Sequence, residues 1–332
     1  MDLFSELNDR LLFAVPKKGR LHEVCLGFLQ GADIQFHRKP RHDIALVKNH
    51  PIALVFLPAA DIAKYVGGGR VDLGITGQDI IAESGFDAEA DPPSPIDGQP
   101  RIRELMPLDF GKCRLMIQTP IKSGINNVED LIGKRIVTSF EGLSKRFFRR
   151  LEAEVHGSTA TAGSGPPTCN TTNDASTSAP LQTSVEFVSG SVEAACALGL
   201  ADGIVDLVES GETMRAAGLQ AIATVIESQA VLIANPRTRF PELVTKIQSR
   251  IEGHIASRKY MYISYNVERA LLDQAKTITP GRQAPTINAL IDDAWVAVSV
   301  MVPTNDVAEV MDQLKLIGAT DILVFGISNC RV

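Results

Sequence analysis

The chain has 332 residues, of which 45% are hydrophobic and 22% are charged, and its formal net charge is −6 at pH 7. This length and composition indicate a globular protein with a sizeable core and two or three domains. The negative charge argues against a nucleic-acid or anionic-membrane partner held by a broad basic surface, so small anionic ligands would need local clusters of Lys and Arg.

Cysteine usage and the start of the chain bear on the cellular compartment. The five cysteines are scattered and form no C-x-x-C pair, which indicates neither a disulfide framework nor a zinc site. The segment Met1–Glu6 lacks the basic region and long apolar run of a secretory signal, and no later run reaches transmembrane length. We therefore expect a cytoplasmic protein in a reducing environment.

Short apolar runs alternate with amphipathic stretches through the first part of the chain. The pattern predicts strands at Leu11–Val15, Ile44–Val47, Ala53–Leu57, Leu73–Thr76, Leu115–Gln118 and Arg135–Thr138. It predicts helices or helical turns at Leu21–Gly31, Pro58–Gly67 and Val128–Ile132. Such alternation favours an α/β architecture with mainly parallel sheets.

Two segments interrupt this pattern. The Pro-rich stretch Asp91–Pro100 suits neither a helix nor a central strand and marks a crossing point between two lobes. From His156 to Pro180 the chain is rich in Ser, Thr, Gly, Asn and Pro, with hardly any large apolar residue. Because such a segment cannot bury enough apolar surface to order itself, we expect a flexible surface insertion there.

A different pattern follows Pro236. The predicted elements are a helix at Glu242–Arg258, a strand at Tyr260–Asn266, a helix at Val267–Ala275, and strands at Trp295–Val302 and Asp321–Val324 that flank a helix at Val307–Ile317. We interpret this part as strand-helix-strand-strand-helix-strand, the order of a ferredoxin-like module. Such modules are common regulatory domains, but this analogy of fold leaves the ligand open.

The stretch 202–213 carries the clearest chemical signal, because an apolar strand with acidic residues runs directly into a Ser-Gly-Glu-Thr turn. A strand that ends in small, hydroxylated residues and then opens a helix presents N–H groups, hydroxyls and a helix dipole to one point, which suits a phosphate monoester. Just upstream, Asp206 and Glu209 could accept hydrogen bonds from ribose hydroxyls or hold a magnesium ion. The alternative is an ordinary strand-to-helix connection in which a hydroxyl only caps the helix.

A basic cluster lies near the N-terminus, where a strand leads into a Lys-Lys-Gly-Arg turn. Lys17 and Arg20 can offer two charges to phosphates, while Gly19 permits a close backbone approach. A solvated basic turn is the alternative here.

Another strand with a small-residue end lies at Val71–Asp79, where Gly74 and Gly77 would let a ligand approach the backbone. Ligands of open α/β sheets lie at the carboxyl ends of strands. The three clusters together therefore predict a cleft for phosphate-rich substrates.

Five motifs follow one another along the chain, at Pro16–Leu21, Val71–Gly77, Gly190–Glu193, Leu200–Thr213 and Gly318–Leu323. Together they resemble the ATP phosphoribosyltransferase family, whose members catalyse the first step of histidine biosynthesis. The resemblance spans nearly the whole chain except for about residues 156–180, where the sequence departs from the compact family pattern. Five ordered motifs are far more specific than one.

The resemblance implies an α/β fold with a bilobal catalytic core similar to type II periplasmic-binding-protein folds, followed by a ferredoxin-like (ACT-like) regulatory domain. Residues 1–100 would form catalytic lobe I, rejoined by about 221–235. Residues 101–220 would form lobe II with the phosphoribosyl-binding motif, and residues 236–332 the regulatory domain.

The implied reaction joins N1 of the adenine of ATP to the anomeric carbon of 5-phosphoribosyl 1-pyrophosphate, with Mg²⁺ present and pyrophosphate leaving. The product is phosphoribosyl-ATP. The resemblance also implies inhibition by histidine through unspecified residues within 236–332, and a homo-oligomer that ranges from dimer to hexamer.

Carried over residue by residue, the resemblance assigns three sets of positions. The phosphoribosyl donor would lie against Asp202, Asp206, Glu209, Ser210, Gly211, Glu212 and Thr213, with Glu212 contributing its amide. ATP and pyrophosphate would meet Lys17, Gly19, Arg20, Asp72, Gly74, Thr76 and Gly77. Asp206 and Glu193 would be the catalytic carboxylates that hold the ribose hydroxyls or the magnesium shell, and Asp206 is the candidate metal ligand.

Two other functions stay open at this point. A non-catalytic bilobal binding protein would share the two-lobed α/β plan, although the absence of an export signal counts against it. Another phosphoribosyltransferase would share the phosphate turn, but it leaves the Lys-Lys-Gly-Arg turn and the C-terminal module unexplained.

Overall fold

A computed structural model of the chain describes residues 7–39, 41–85, 101–160 and 180–331. Contacts define two compact units, one comprising Leu12–His22 and Leu54–Arg239, the other Met1–Leu11, Glu23–Ala53 and Phe240–Val332. The crossing loop expected at Asp91–Pro100 lies outside the described residues, as do residues 161–179 of the expected insertion.

The strands, in chain order, are β1 (Leu11–Pro16), β2 (Ile44–Leu46), β3 (Ile52–Leu57), β4 (Leu73–Gly77), β5 (Arg103–Pro107), β6 (Cys113–Pro120), β7 (Arg135–Thr138), β8 (Ser184–Phe187), β9 (Gly203–Val208), β10 (Leu219–Ser228), β11 (Ala230–Ala234), β12 (Tyr260–Glu268), β13 (Thr286–Ala289), β14 (Trp295–Pro303) and β15 (Thr320–Gly326). The helices are α1 (His22–Gly31), α2 (Ala59–Gly67), α3 (Gln78–Ser84), α4 (Glu141–Ala160), α5 (Ala194–Ala197), α6 (Glu212–Ala216), α7 (Pro241–Lys259), α8 (Leu272–Ile278) and α9 (Val307–Leu316). All six strands predicted in the first 138 residues are confirmed, as are the first two helices, and the predicted helical turn is a 3-10 helix at Val128–Leu131.

The first eleven strands form two sheets, a six-stranded one in the order β2-β3-β1-β4-β11-β5 and a five-stranded one in the order β10-β6-β9-β7-β8. The chain passes from one sheet to the other between β5 and β6, and returns between β10 and β11. Around these crossings the pairs are antiparallel, as in β11 with β4 and β5 and in β6 with β9 and β10. The expectation of mainly parallel sheets is therefore wrong, because each crossing inserts strands that run in the opposite direction.

The centre of the six-stranded sheet is an apolar core. Every residue of β4 and β11 is buried, as expected for central strands that are covered on both faces. Helix α2 packs so closely on β4 that a Cβ atom on Gly74 would lie 2.8 Å from Cγ2 of Ile62. A side chain at position 74 would therefore disturb the packing of helix on sheet.

The five-stranded sheet packs against helix α4, where Leu115, Ile136 and Val205 share a buried cluster with Phe148 of the helix. The first turn of α4 is anchored from α3. The carboxylate of Glu83 accepts hydrogen bonds from the first-turn N–H groups of residues 142 and 143, each at 2.8 Å. A negative charge at this position also complements the helix dipole.

Helix α4 extends further than the sequence pattern indicates. It continues to Ala160, so the expectation of a flexible segment from His156 is wrong for residues 156–160. A helix that has already begun on an apolar face can continue into polar residues, because each added residue gains one backbone hydrogen bond.

Residues 260–326 form a ferredoxin-like module, which confirms the expectation for this part of the chain. The elements follow the order β12-α8-β13-β14-α9-β15, and the strands pair antiparallel in the order β13-β14-β12-β15. One face of this sheet buries alternate residues of β12 and β14 in an apolar cluster. The helix expected at Val267–Ala275 begins only at Leu272, because Val267 stays in the sheet, where it pairs with Val296 and is fully buried.

The α/β class is confirmed, with a two-sheet core and a separate ferredoxin-like sheet. The two crossings agree with the bilobal, type II periplasmic-binding-protein-like core that the motifs imply. Within the parts of the chain that the structure describes, no helix has the length and apolarity needed to cross a membrane.

Candidate active site

The turn Ser210–Thr213 lines a cavity at the carboxyl end of β9. The first three residues of β9 are buried and the strand ends at Val208, so the following residues emerge from the sheet. Gly211 adopts φ +77°, a conformation that favours glycine, and it is the N-cap of the short helix α6. Together with Arg20, the turn lines a cavity of about 260 Å³.

Ser210 stabilises the turn itself. Its Oγ accepts a hydrogen bond of 3.4 Å from the backbone N–H of Glu212, and Nη2 of Arg215 donates to the Ser210 carbonyl at 3.2 Å. The capping interpretation therefore describes part of what this serine does. Arg215 also brings a positive charge to the turn, which favours an anionic ligand.

Asp206 and Glu193, the two predicted catalytic carboxylates, stand upstream of the turn in the sequence. Asp206 on β9 is half-buried, and its Oδ1 accepts a hydrogen bond of 2.8 Å from the backbone N–H of Leu207. Burial raises the pKa of Asp206, the bond from Leu207 works in the opposite direction, and the negative charge of Glu193 raises the pKa further. A like charge has this effect only at short range. The charge of Glu193, the other predicted catalytic carboxylate, therefore acts on Asp206.

Arg20 reaches the cavity from the turn after β1, where Gly19 adopts φ +90°. Its Nη1 donates to Oε1 of Glu209 and to the carbonyl of Gly111 at 3.5 Å, and its Nη2 donates to Sγ of Cys113 at 3.1 Å. Burial works to lower the pKa of Arg20, but hydrogen bonds to Glu209 and Cys113 outweigh it and leave the pKa raised. Arg20 and Glu209, predicted for different ligands, are therefore direct partners.

Lys17, the other predicted cationic residue, is exposed and directly follows β1. Its backbone N–H donates to the carbonyl of Leu57, the last residue of β3, at 2.7 Å. The basic turn thus starts from a position that is fixed to the neighbouring strand.

A larger cavity of about 520 Å³ adjoins the first, since Val208 and Glu209 line both. Its other lining residues are Gln78, Lys112, Cys113, Arg114, Glu227, Ser228 and Gln229. All of these except Gln78 lie at the two crossings between the sheets, β5 to β6 and β10 to β11. The wall of the larger cavity is therefore formed mainly by the segments that connect the two sheets. The volume falls within the usual range for small-molecule sites.

Sequence reasoning missed the residues at this wall. The wall includes three residues where β6 begins, Lys112, Cys113 and Arg114. The sequence signal that could have indicated them is the thiol flanked by two cationic residues. The pattern alone does not reveal that Cys113 faces Arg20, because the two are brought together only by the fold.

Four residues predicted near ATP take part in the packing of the six-stranded sheet. Asp72 precedes β4, and its carboxylate accepts hydrogen bonds from the N–H of Leu12 at 2.9 Å and the hydroxyl of Thr238 at 2.7 Å. Thr76 is fully buried, and its hydroxyl donates to a backbone carbonyl of α2 at 3.2 Å. Gly74 lies beneath α2, and a Cβ atom on Gly77 would lie 2.0 Å from Oδ1 of the next helix's aspartate. Each of these four residues is therefore in close contact with another part of the protein.

Asp202 stands at the opposite end of β9 from the turn. Its carboxylate accepts hydrogen bonds from the backbone N–H of Arg135 at 3.0 Å and from the Arg135 side chain at 3.3 Å. The bond from the Arg135 backbone is the main cause that lowers the pKa of Asp202. Six strand residues separate it from Glu209, a distance of about 20 Å, so the structure does not bring Asp202 to the turn.

Metal binding can be judged from the donors present. Among residues 7–39, 41–85, 101–160 and 180–331, no group of three or more His, Cys, Asp or Glu side chains could hold a metal ion. Asp206 and Glu193 are two carboxylates, and the charge of Glu193 acts on Asp206. Such a pair fits Mg²⁺, which is commonly bound through one or two carboxylates, water and substrate phosphates.

The fold and the site define an α/β protein with a cavity suited to a phosphorylated small molecule. The family model described as ATP phosphoribosyltransferase (HisG) matches residues 58–253, and the model of the HisG C-terminal domain matches residues 257–329. The chain belongs to the ATP phosphoribosyltransferase family, a family of pentosyltransferases, as its motifs indicate.

Curated relatives support this assignment over the full length. The chain is 52% identical over 332 residues to a Yarrowia lipolytica protein named ATP phosphoribosyltransferase, covering 100% of both chains. It is 49% identical over 333 residues to the Schizosaccharomyces pombe protein and 47% identical over 334 residues to the Saccharomyces cerevisiae protein of the same name, again over 100% of both chains.

A solved structure shows that the fold is shared. The chain is similar to the ATP phosphoribosyl transferase (HisG:HisZ) complex from Thermotoga maritima, with a TM-score of 0.52 and 23% identity, over 73% of this chain and 98% of that chain.

Proposed function

We propose that this chain transfers the phosphoribosyl group of 5-phosphoribosyl 1-pyrophosphate to N1 of the adenine of ATP, the first step of histidine biosynthesis. The observation that supports the proposal most directly is that the turn Ser210–Thr213 and Arg20 line one cavity of about 260 Å³. Backbone N–H groups at a strand-to-helix turn and an arginine are the groups that bind phosphates best.

The donor's 5-phosphate would lie on the turn. The backbone amides of Gly211 and Thr213 can donate to it, with the hydroxyl of Thr213 as a further donor. The amide of Glu212 would exchange its 3.4 Å bond to Oγ of Ser210 for one to the phosphate. The side chain of Glu212 would repel a phosphate, so its contribution comes from the amide. Ser210 supports this arrangement by holding the turn in shape.

The pyrophosphate and ATP would occupy the space beyond the turn. Arg20 stands between the two cavities through its bond to Glu209, and Lys112 and Arg114 line the larger one. These cations can offset the charge of the leaving pyrophosphate and of a triphosphate. Lys17 belongs to the same basic turn as Arg20 and would add a further charge.

The carboxylates would act on the reacting carbon. When pyrophosphate departs, positive charge develops at the anomeric centre, and a nearby negative charge stabilises it. Asp206 and Glu193 carry the right charge, and the charge of Glu193 adds to the raised pKa of Asp206, whose largest cause is burial. Catalysis would depend on positioning and electrostatics more than on a strong base.

Magnesium would enter with the substrate phosphates. Bound there, it would neutralise negative charge on the leaving pyrophosphate. Asp206 and Glu193 are the carboxylates that would contribute to its ligand shell, as the family resemblance implies.

Organisation and regulation complete the proposal. Residues 1–100 with about 221–235 would form one catalytic lobe, 101–220 the other, and 236–332 a regulatory domain that binds histidine as an inhibitor. The ferredoxin-like module supports a regulatory role for the last part. The enzyme would assemble as a homo-oligomer, from dimer to hexamer, in the cytoplasm.

A direct assay tests the activity. The purified full-length chain is mixed with ATP, 5-phosphoribosyl 1-pyrophosphate and Mg²⁺, and phosphoribosyl-ATP is followed by its ultraviolet absorbance. Product should form only when all three are present, and histidine should reduce the rate. A chain that binds ATP without forming product would favour the non-catalytic alternative, and sedimentation velocity would determine the oligomer.

A further inference from the structure

The ion pair between Arg20 and Glu209 lies in the wall between the two cavities. Both residues line the smaller cavity, and Glu209 also lines the larger one. The Arg20 side chain is 32% exposed and that of Glu209 is 53% exposed. Both charges are therefore within reach of an anionic ligand that enters the smaller cavity.

Arg20 does not depend on Glu209 for its position. The carbonyl of Gly111 accepts a hydrogen bond from Nη1 at 3.5 Å, and Sγ of Cys113 accepts one from Nη2 at 3.1 Å. Cys113 is buried and is the first residue of β6, so this second acceptor is fixed in the sheet. The guanidinium would stay at the cavity wall if the carboxylate were removed.

Glu209 is the anionic partner at this position. Its Oε1 accepts from Nη1, the nitrogen that a phosphate oxygen would also use. A phosphate bound to Arg20 would therefore meet the carboxylate as a like charge at short range. Exposed ion pairs have small net energies, so a ligand can replace one at low cost.

We propose that Glu209 is an internal competitor for Arg20, which a phosphate or pyrophosphate group must displace, and that this exchange sets the affinity and charge selectivity of the site. The identity of the ligand rests on the proposed function. A multiply charged phosphate can replace the carboxylate, whereas a neutral or weakly charged molecule cannot. The same carboxylate returns to Arg20 as pyrophosphate leaves, which speeds release.

This role differs from the one that the family resemblance implies for Glu209. If Glu209 held the ribose of the donor, its removal would weaken binding. If it competes for Arg20, its removal strengthens the binding of pyrophosphate. The two roles therefore predict opposite signs for the same substitution.

Calorimetric titration of the full-length chain with sodium pyrophosphate measures the sign. Glu209→Gln should bind pyrophosphate about three- to tenfold more tightly than the parent, from the lost ion pair and the lost repulsion. Glu129→Gln, which removes an equal charge from an exposed 3-10 helix that lines neither cavity, should stay within about twofold of the parent. The gain should shrink in about 1 M salt, where the Debye length is about 3 Å.

A double substitution tests whether the effect passes through Arg20. In an Arg20→Gln background, adding Glu209→Gln should tighten pyrophosphate binding clearly less than it does in the parent, since the contested donor is gone and only the repulsion by the carboxylate is relieved. Equal or weaker binding by Glu209→Gln, the same gain from Glu129→Gln, or a full gain without Arg20 would each overturn the inference. Glu209→Ala, at a half-exposed position, should repeat the sign of Glu209→Gln.

Steady-state kinetics separate this inference from the proposed function. In an active enzyme, Glu209→Gln should lower KM for the phosphoribosyl donor and change kcat much less, a split that a folding defect does not produce. A parent chain that makes no phosphoribosyl-ATP but shows the expected pyrophosphate affinities would refute the proposed function and support the ion-pair exchange. Activity with unchanged or weakened pyrophosphate binding by Glu209→Gln would do the reverse.

Discussion

Replacing Asp206 by Asn removes one charge from the site with almost no change of shape. Unit charges about 4 Å apart interact by about 1 kcal/mol in water and about 4 kcal/mol at an effective dielectric constant of about 20. Asp206 is half-buried, which favours the upper part of this range, about 2–4 kcal/mol. If that energy stabilises the positive anomeric centre, Asp206→Asn should lower kcat by about 30- to 1,000-fold.

Initial rates of phosphoribosyl-ATP formation at saturating substrates measure this effect. Asp130→Asn is the matched control, because Asp130 is an exposed aspartate on a 3-10 helix in the same compact unit. Its kcat should stay within about twofold of the parent. The amide oxygen of Asn can still accept the N–H of Leu207, so the fold should be preserved. Turnover by Asp206→Asn at the parent's rate would show that the electrostatic role is wrong.

The stability of the same variant has a pH dependence with a definite sign. The pKa of Asp206 is raised in the fold, by burial first and then by the charge of Glu193, so the folded chain binds this proton more tightly than the unfolded chain. As pH rises from the ordinary carboxyl value of 3.8 through the raised pKa, the stability contributed by this proton is lost. Asp206→Asn has no such loss. Between these two pKa values, the melting temperature of Asp206→Asn should rise relative to that of the parent as pH increases. Above the raised pKa the difference between the two should stay constant. A difference that does not change anywhere in this pH range would contradict the predicted sign.

Three further predictions concern stability and reactivity. Glu83→Gln should lower the free energy of unfolding by about 1–3 kcal/mol in urea titrations, because one of the two charge-assisted acceptors at the start of α4 is lost. The control Glu141→Gln, in the exposed pair with Lys145, should lower it by less than about 0.5 kcal/mol. Gly74→Ala should cost about 1–3 kcal/mol through contact with α2 and leave the KM for ATP unchanged; a raised KM at parental stability would instead place Gly74 at the ligand. Burial raises the pKa of Cys25 to about 12, so iodoacetamide at about pH 8 should modify this thiol only after unfolding, as mass spectrometry would show.

The strands that could be predicted are those whose pattern is local. Each of the six is an apolar run bounded by turn residues. This pattern is sufficient to predict the strand, but it does not predict which strand it pairs with in the sheet. Strands β10 and β11 follow one another with a single residue between them, so no turn signal separates two strands that belong to different sheets. The direction of pairing is a property of the whole chain path, which explains why the mixed sheets could not be predicted.

The site shows the same limit. The turn Ser210–Thr213 and the basic turn with Arg20 could be recognised because each is contiguous in sequence. A contiguous motif does not distinguish the two ends of a strand, and Asp202 is therefore grouped with a turn that lies about 20 Å away. The contact of Arg20 with Cys113 joins positions 93 residues apart, so only the fold reveals it.

The aspartate that precedes β9 and the aspartate within it differ in what the fold does for them, and this difference supports a functional role for Asp206. Asp202 is stabilised as an anion by hydrogen bonds from Arg135, chiefly from its backbone, and its pKa is lowered. Asp206 is disfavoured as an anion by burial and by Glu193, and its pKa is raised. Packing therefore explains Asp202 but not Asp206, whose charge costs stability at neutral pH. Groups with pKa values shifted by burial and a like charge concentrate at sites where charge is used in chemistry, and Asp206 stands just upstream of the turn that lines the smaller cavity.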